Sequence, residues 1–309
     1  MATANPTWLS APFNTAPRFS SARVNLETPF TTGTTLAGNG AGSCSVVGDL
    51  NGDGIPNLLV PEYTLAASTV RAYLGNGDGT FTLGGATSTP SEGSLVLADF
   101  KHGGKLDLAT SGNLIALGNG DGTFQPPTSI VATPPANGFS RIAAGDINND
   151  GWPDLVLTGD NVLVLLNNRH GGFTQVPLAI VGSTPILADL NGDGNLDLIV
   201  LSTTGNSSAY FGDGQGGFTF KVGFRGQVFL VADVNGDGIP DVGTSAFGTL
   251  EIYLGESGAT YAAPFAIGAL LGSDSMVVED LHGPSPASGL PDLVVPGFSG
   301  IQVLFNLTK

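Results

Sequence analysis

The chain has 309 residues, with 47 Gly and 20 Pro but only 10 Lys plus Arg, which excludes helical bundles and coiled coils, built as those are from Ala, Glu, Lys, Leu and Arg. A hydrophobic fraction of 41% with 17 Phe is enough for a large core and excludes a disordered chain. The net charge of -16 repels phosphate backbones and anionic lipid, so nucleic acid is not expected as a partner.

In chain order, the opening MATANPTWLS lacks the basic start and apolar stretch of a signal peptide. Residues 1–28 read as an N-terminal extension. The lone Cys44 precedes an apolar Val-Val pair and reads as a small buried side chain. From there the chain repeats itself: acidic loops begin at Asp49, Asp99, Asp146, Asp189, Asp233 and Asp280, at spacings of 50, 47, 43, 44 and 47 residues. Each unit holds an apolar run, the acidic loop, a second run (NLLV, DLAT, DLVL, DLIV), a third run (VRAYLG, LIALG, VLVLLN, SAYFG, LEIYLG), a Gly-rich turn and a Phe-led segment. Short β-prone runs between Gly, Asn, Asp and Pro are strands, and four strands in ~45 residues match one blade of a β-propeller.

The predicted fold is therefore all-β: one propeller over residues 29–309, of six four-stranded antiparallel blades, or seven if residues 1–28 add further strands. The last unit ends at its third strand, GIQVLFNLTK. Phe30 precedes Asp49 by 19 residues, much as Phe81 precedes Asp99 by 18, so residues 29–38 are predicted to complete the last blade and close the ring. No apolar run, VLVLL at 162–166 included, approaches the ~20 residues needed to span a bilayer, and neither membrane insertion nor oligomerisation of the ring is expected.

Four loops share one pattern: Asp49, Asn51, Asp53 and Asn57; Asp146, Asn148, Asp150 and Asp154; Asp189, Asn191, Asp193 and Asp197; Asp233, Asn235, Asp237 and Asp241. Oxygen side chains stand at positions one, three, five and nine, Gly at six permits a sharp bend, and position seven can offer its carbonyl. That is a Ca²⁺ shell, roomier than Mg²⁺ prefers. An EF-hand would need Glu at position twelve, where Val60, Leu157, Val200 and Thr244 stand instead. Plain polar turns would have no reason to gather carboxylates that repel by roughly 4 kcal/mol per pair. About four Ca²⁺ sites are expected. The loop at Asp99 has Lys101 at position three and Gly103 at position five, so an ammonium is expected where the ion would sit. The loop at Asp280, with His282 at position three and four extra residues, leaves its coordination open.

These residues resemble the FG-GAP or VCBS-type repeats of integrin-α-like β-propellers, whose units carry a D-x-[DN]-x-D-G-x-x-D loop, an L-V strand and a G-N-G-D-G-T-F turn. GNGDGTF stands at 75–81 and 118–124, with weaker copies ending in Phe173, Phe218 and Tyr261. The resemblance covers residues 29–309 and implies structural rather than catalytic metal between the first and second strands of each blade. It implies no single ligand, since such domains serve adhesion receptors, lectins and enzymes. The GNGDGTF turn lacks the Lys-Ser/Thr and helix of a phosphate loop and reads as a hairpin whose Phe packs between blades.

No nucleophile motif appears, and His102, His170 and His282 lie in or beside Gly-rich turns, so catalysis is not expected. The expected function is a calcium-stabilised, extracytoplasmic binding or adhesion module. Its ligand, a protein or a carbohydrate, would be met by the connections opposite the acidic loops. Tyr63, Phe139, Arg225, Phe247 and Phe298 stand there, either as a recognition surface or as caps on the blade cores. A lectin with sugar sites between blades, or a non-catalytic propeller of a larger secreted enzyme, is the alternative. NSS at Asn206 and NLT at Asn306 are glycosylation sequons.

Overall fold

The computed structural model describes residues 19–22, 45–63, 68–88, 93–246, 248–258, 260–269, 277–279, 292–297 and 300–306. Among these there is no helix, and six four-stranded antiparallel sheets account for nearly all regular structure. Sheet I is Val46–Gly48, Asn57–Tyr63, Ser68–Gly75 and Phe81–Ser88. Sheet II is Leu95–Ala98, Asp107–Thr110, Leu114–Ala116 and Thr128–Ser129. Sheet III is Arg141–Gly145, Asp154–Thr158, Val162–Asn167 and Phe173–Pro177. Sheet IV is Ser183–Ala188, Asp197–Leu201, Ser207–Gly212 and Phe218–Phe224. Sheet V is Gln227–Ala232, Asp241–Ala246, Thr249–Tyr253 and Phe265–Ala269. Sheet VI is Val277–Glu279, Asp292–Gly297 and Gly300–Asn306, with Phe19–Ala22 as its fourth strand.

In every sheet the strands lie in the order in which they are named. Second strands such as Asp154–Thr158 are buried along their whole length. A strand covered on both faces reads as a continuous apolar run rather than an alternation, which is what DLVL and DLIV show. Fourth strands lie at the edge and carry exposed residues, as in Phe173–Pro177.

The chain divides into two compact units, residues 25–228 and residues 1–24 with 229–309. In the first, three apolar clusters fill the seams between consecutive sheets. Leu50, Leu59, Val70 and Ala72 meet Leu95, Leu108 and Ala116 between sheets I and II. Phe100 and Ala109 meet Ile142, Leu155 and Leu165 between II and III. Ile147, Val156 and Val164 meet Leu198 and Val200 between III and IV. The Phe residues that lead the fourth strands join the same seams: Phe124, Phe173 and Phe218 pack on the three clusters in turn, as expected from the sequence. In the second unit, Leu230, Val234, Leu250 and Ile252 form the core of sheet V.

Two strand assignments differ from expectation. The strand that pairs with Gly300–Asn306 is Phe19–Ala22, in register Phe19 with Asn306 and Ala22 with Val303, from within the stretch read as an extension; residues 29–38 lie outside the described residues. Equal spacing between Phe and acidic loop misled the count. Elsewhere the fourth-strand Phe stands between 15 and 18 residues ahead of the next loop in four sheets and 22 ahead in sheet II, from Phe124 to Asp146, so the connection is elastic. In sheet V, Tyr261 belongs to a separate two-stranded ribbon, Gly255–Glu256 with Thr260–Tyr261, and the fourth strand starts at Phe265.

Candidate functional site

Each of the five described acidic loops is built around its first aspartate, whose two oxygens receive backbone N–H groups from further round the bend. In loop I the donors to Asp49 are Gly52 at 2.7 Å and Gly54 at 2.9 Å. In loop V the donors to Asp233 are Gly236 at 2.6 Å and Gly238 at 2.8 Å. Positions four and six have positive φ, 76° and 80° at Gly52 and Gly54, and position four is Asn149 at 55° in loop III and His102 at 50° in loop II. This left-handed backbone is the reason for the Gly-x-Gly spacing. The asparagine at three donates to the aspartate at five, as Asn191 Nδ2 does to Asp193 Oδ2 at 3.0 Å. The N–H of position seven closes the loop on Asp53, Asp150, Asp193 and Asp237 at 2.8, 2.9, 2.8 and 2.8 Å.

Position nine has a second role that its spacing alone does not reveal. Asp154, Asp197 and Asp241 are fully buried at 0% exposure, and each joins two elements. One oxygen accepts the N–H of position two, from Ile147 at 2.9 Å, Leu190 at 2.9 Å and Val234 at 2.8 Å. The other accepts the N–H that ends the third strand, from Asn167 at 2.7 Å, Gly212 at 2.9 Å and Gly255 at 2.7 Å. Asp107 in loop II takes Gly118 in the same way at 2.8 Å. The third strand ends in Gly because a Cβ at Gly118 or Gly212 would collide with the carbonyl of Leu106 or Leu196. In sheet III, Asn167 fills that place and donates its amide to Phe100 O of the preceding loop at 2.9 Å. In loop I, Asn57 Oδ1 still accepts Leu50 N at 2.7 Å, but its buried Nδ2 has no partner.

Burial pushes Asp154 and Asp241 up to about 6, with the carboxylates at position five, and in loop V also position one, adding to the shift. Asp197 and Asp107 are raised for the same first reason. Asp49 is held low, chiefly by the Gly54 N–H. Among the described residues, no three His, Cys, Asp or Glu side chains gather as a metal cluster. Loops I, III, IV and V instead combine carboxylates with asparagine and backbone carbonyls. All are hard oxygen donors, and a carboxyl raised chiefly by burial, with a smaller contribution from its acidic neighbours, is the group a divalent cation would relieve, so the donor set fits Ca²⁺.

Loop II meets its expectation in part. Lys101 reaches to Gly171 in the sheet III turn, and among the described residues no ion pair joins it to Asp99. Both Asp99 oxygens accept N–H groups, from Gly103 and Gly104 at 2.8 and 2.7 Å, while the Lys101 charge opposes the upward shift of Asp107 at position nine. His102 stacks on Trp152 of loop III at 4.0 Å between ring centres.

The acidic loops and the third-to-fourth turns share one end of sheets I to IV. Asn149 Nδ2 donates to Asn195 Oδ1 across loops III and IV at 2.6 Å, and Gly122 N to Leu50 O across sheets II and I at 3.3 Å. The GNGDGTF segments are hairpin turns as predicted: Asp78 and Asp121 each accept both the N–H, at 2.9 Å, and the hydroxyl, at 2.6 Å, of the following Thr80 or Thr123. Of the residues expected at the opposite end, Phe139 packs partly buried on the sheet II–III core, Arg225 is exposed in the turn after Phe224, and Tyr63 ends the second strand of sheet I. Phe247 and Phe298, the loop at 280–291 and Cys44 lie outside the described residues.

The FG-GAP-like repeat matches residues 108–157 and 189–244, stretches that contain loops III, IV and V. No curated protein sequence matches this chain. Among solved structures, BBS1N in complex with ARL6DN aligns with TM-score 0.60 at 12% identity over 87% of this chain and 80% of that one. Sqt1 of Saccharomyces cerevisiae aligns with TM-score 0.56 at 10% identity over 82% and 69%. A chain of the Photorhabdus luminescens Tc holotoxin pore matches with TM-score 0.46 at 22% identity, and this chain spans 14% of its length. The likenesses to BBS1N and Sqt1 show a propeller-like all-β fold. Among the described residues no helix is long and apolar enough to cross a membrane.

Proposed function

We propose that the six sheets are the blades of one β-propeller serving as a calcium-stabilised, extracytoplasmic binding module, with no catalytic role. The observation that carries this reading is the contrast between the two ends of the sheets. At one end loops II to V are each tied to their own third strand through position nine. At the other, connections vary from the short turn at 111–113 in sheet II to the long stretch at 130–140 that joins sheets II and III. A rigid scaffold with variable connections suits recognition. Pairing of Phe19–Ala22 with the last strand of the chain supports ring closure, and a protein bound to the structurally similar BBS1N is consistent with a protein ligand. Millimolar calcium outside the cytoplasm would fill loops of moderate affinity.

The ligand surface is placed on the connections opposite the acidic loops, around Arg225. A glycan array beside a pull-down from extracellular material tests this: one protein partner, weakened about thirtyfold or more by Arg225→Ala (~2 kcal/mol) with unchanged melting, is the expected result. Loss of binding on altering the GNGDGTF turns instead would move the site to the other end. One feature favours a second reading as a lectin. A cleft of about 270 Å³ opens between loops I and II, lined by Asp49, Asn51, Asp99 and Lys105 over Leu50 and Leu106, a mixture of hydroxyl-accepting and hydroxyl-donating groups suited to a sugar. Array binding abolished by Lys105→Ala and untouched by Arg225→Ala would select it.

A further inference from the structure

Loop III differs from its neighbours in one contact. In loops I, IV and V the Oδ2 of the position-five aspartate accepts the amide of the asparagine at three: Asp53 at 2.8 Å, Asp193 at 3.0 Å and Asp237 at 3.0 Å. In loop III the same oxygen of Asp150 accepts Asn148 at 3.1 Å and also Arg169, through Nε at 3.1 Å and Nη2 at 2.9 Å.

Arg169 is presented by the third-to-fourth turn of the same sheet, where the backbone holds it in place. Its φ is 61°, its N–H donates to Asn167 Oδ1 at 2.9 Å, and the following N–H, of His170, donates to Asn168 Oδ1 at 2.9 Å. The equivalent turns GNGDGT in sheets I and II, GDGQGG in IV and GESGAT in V contain no basic residue. A guanidinium aimed at a loop carboxylate is therefore a property of sheet III alone among these five.

We infer that Arg169 is a built-in competitor for the metal of loop III, an inference that rests on the calcium reading of the loops. A divalent ion held by Asp146, Asn148 and Asp150 must either displace the guanidinium from Asp150 or bind beside a positive charge, and both weaken its hold. Loop III shares three carboxylates with loops IV and V, yet Arg169 sets its affinity below theirs. Its occupancy then responds to calcium concentrations at which loops IV and V are already full. The side chain of Arg169 is 51% exposed and that of Asp150 14%, so the ion pair is of the modest surface kind. It tunes the site without closing it.

Trp152 makes the test specific, because it occupies position seven of loop III and the loops at Asp49, Asp99, Asp189 and Asp233 contain no Trp or Tyr. Terbium, a calcium-sized trivalent probe, excited through Trp152 in a Trp8→Phe background reports loop III, and added calcium competes the emission away. Arg169→Gln is expected to lower the calcium concentration at half-competition by about three- to tenfold, whereas Arg169→Lys, which keeps the charge, stays close to the parent. Equal midpoints in the parent and Arg169→Gln would overturn the inference while leaving the calcium reading intact. Terbium emission absent from both proteins would overturn the calcium reading of loop III and this inference with it.

Discussion

At the scale of single residues, the position-nine aspartate separates what the fold needs from what a metal needs. Asp154 supplies the acceptor for two backbone N–H groups, from Ile147 and Asn167, so Asp154→Ala leaves both without a partner. Its loss is expected to cost about 3 kcal/mol or more even in chelator, read by urea unfolding, with Asp154→Asn in between because one acceptor remains. Asp193, which lies near the surface and bonds only within its loop, should matter little in chelator. If Asp193→Asn and Asp154→Ala were equally harmless without metal, position nine would be a ligand and nothing more. The same residues set a pH dependence. Asp154 and Asp241 stand at about 6 when folded against an ordinary 3.8, so between these values the folded chain binds more protons than the unfolded one. Its stability then falls as pH rises through this window. Chelated protein should melt higher at pH 5 than at pH 7.5. Below about 4 the trend reverses, because Asp49, Asp150 and Asp193 are held low and lose their stabilising contacts on protonation. Calorimetry across pH in EDTA checks both arms, and a midpoint that climbs steadily from pH 5 to 7.5 would contradict the assignment.

At the scale of elements, the seams between sheets are made by two repeated apolar positions: position two of the acidic loop and the Phe that leads the next sheet's fourth strand. Phe100 and Phe173 meet edge to face with 6.0 Å between ring centres. Phe173→Ala is expected to cost about 3 to 4 kcal/mol in thermal unfolding, whereas Gln175→Ala, two residues along the same edge strand and exposed, should lie within about 0.5 kcal/mol of the parent. Much of this was legible in the sequence. The loop pattern, the order of four strands and the Phe between sheets follow from period and composition, because they are local. The clamp was not, since it joins residues 11 to 15 apart in the pairs Asp107 with Gly118, Asp154 with Asn167, Asp197 with Gly212 and Asp241 with Gly255. Its trace was nonetheless present in the constant Gly or Asn that ends each third run. The strand completing sheet VI was misplaced because FSSA at 19–22 is too short and polar to stand out, and the length of the following connection is not set by its sequence. The Arg169–Asp150 ion pair was not foreseen for a similar reason: charge alone did not say which carboxylate the third-to-fourth turn would reach.

At the scale of the whole molecule, the net charge of -16 works against any compact state through self-repulsion, and much of it sits in loops that hold up to three carboxylates each. Four divalent ions would offset about half of it. With free calcium a hundredfold above the dissociation constant, each site adds about 2.7 kcal/mol. Calcium would thus be the principal stabilising ligand, and the recognition connections at the other end would depend on it only indirectly. The pairing of Phe19–Ala22 with Gly300–Asn306 makes a matching prediction for the chain ends. Removing residues 1–24 exposes the edge of a seven-residue strand, and the truncated protein is expected to aggregate or melt several degrees lower; a monomer melting like the parent would show that this strand contributes nothing. The most direct test of the account is scanning calorimetry of the intact chain at pH 7.5, in millimolar free calcium and in EDTA. The account predicts a midpoint lower by at least about 10 °C in EDTA, restored by calcium and not by an equal concentration of magnesium. The same midpoint in both buffers would contradict it.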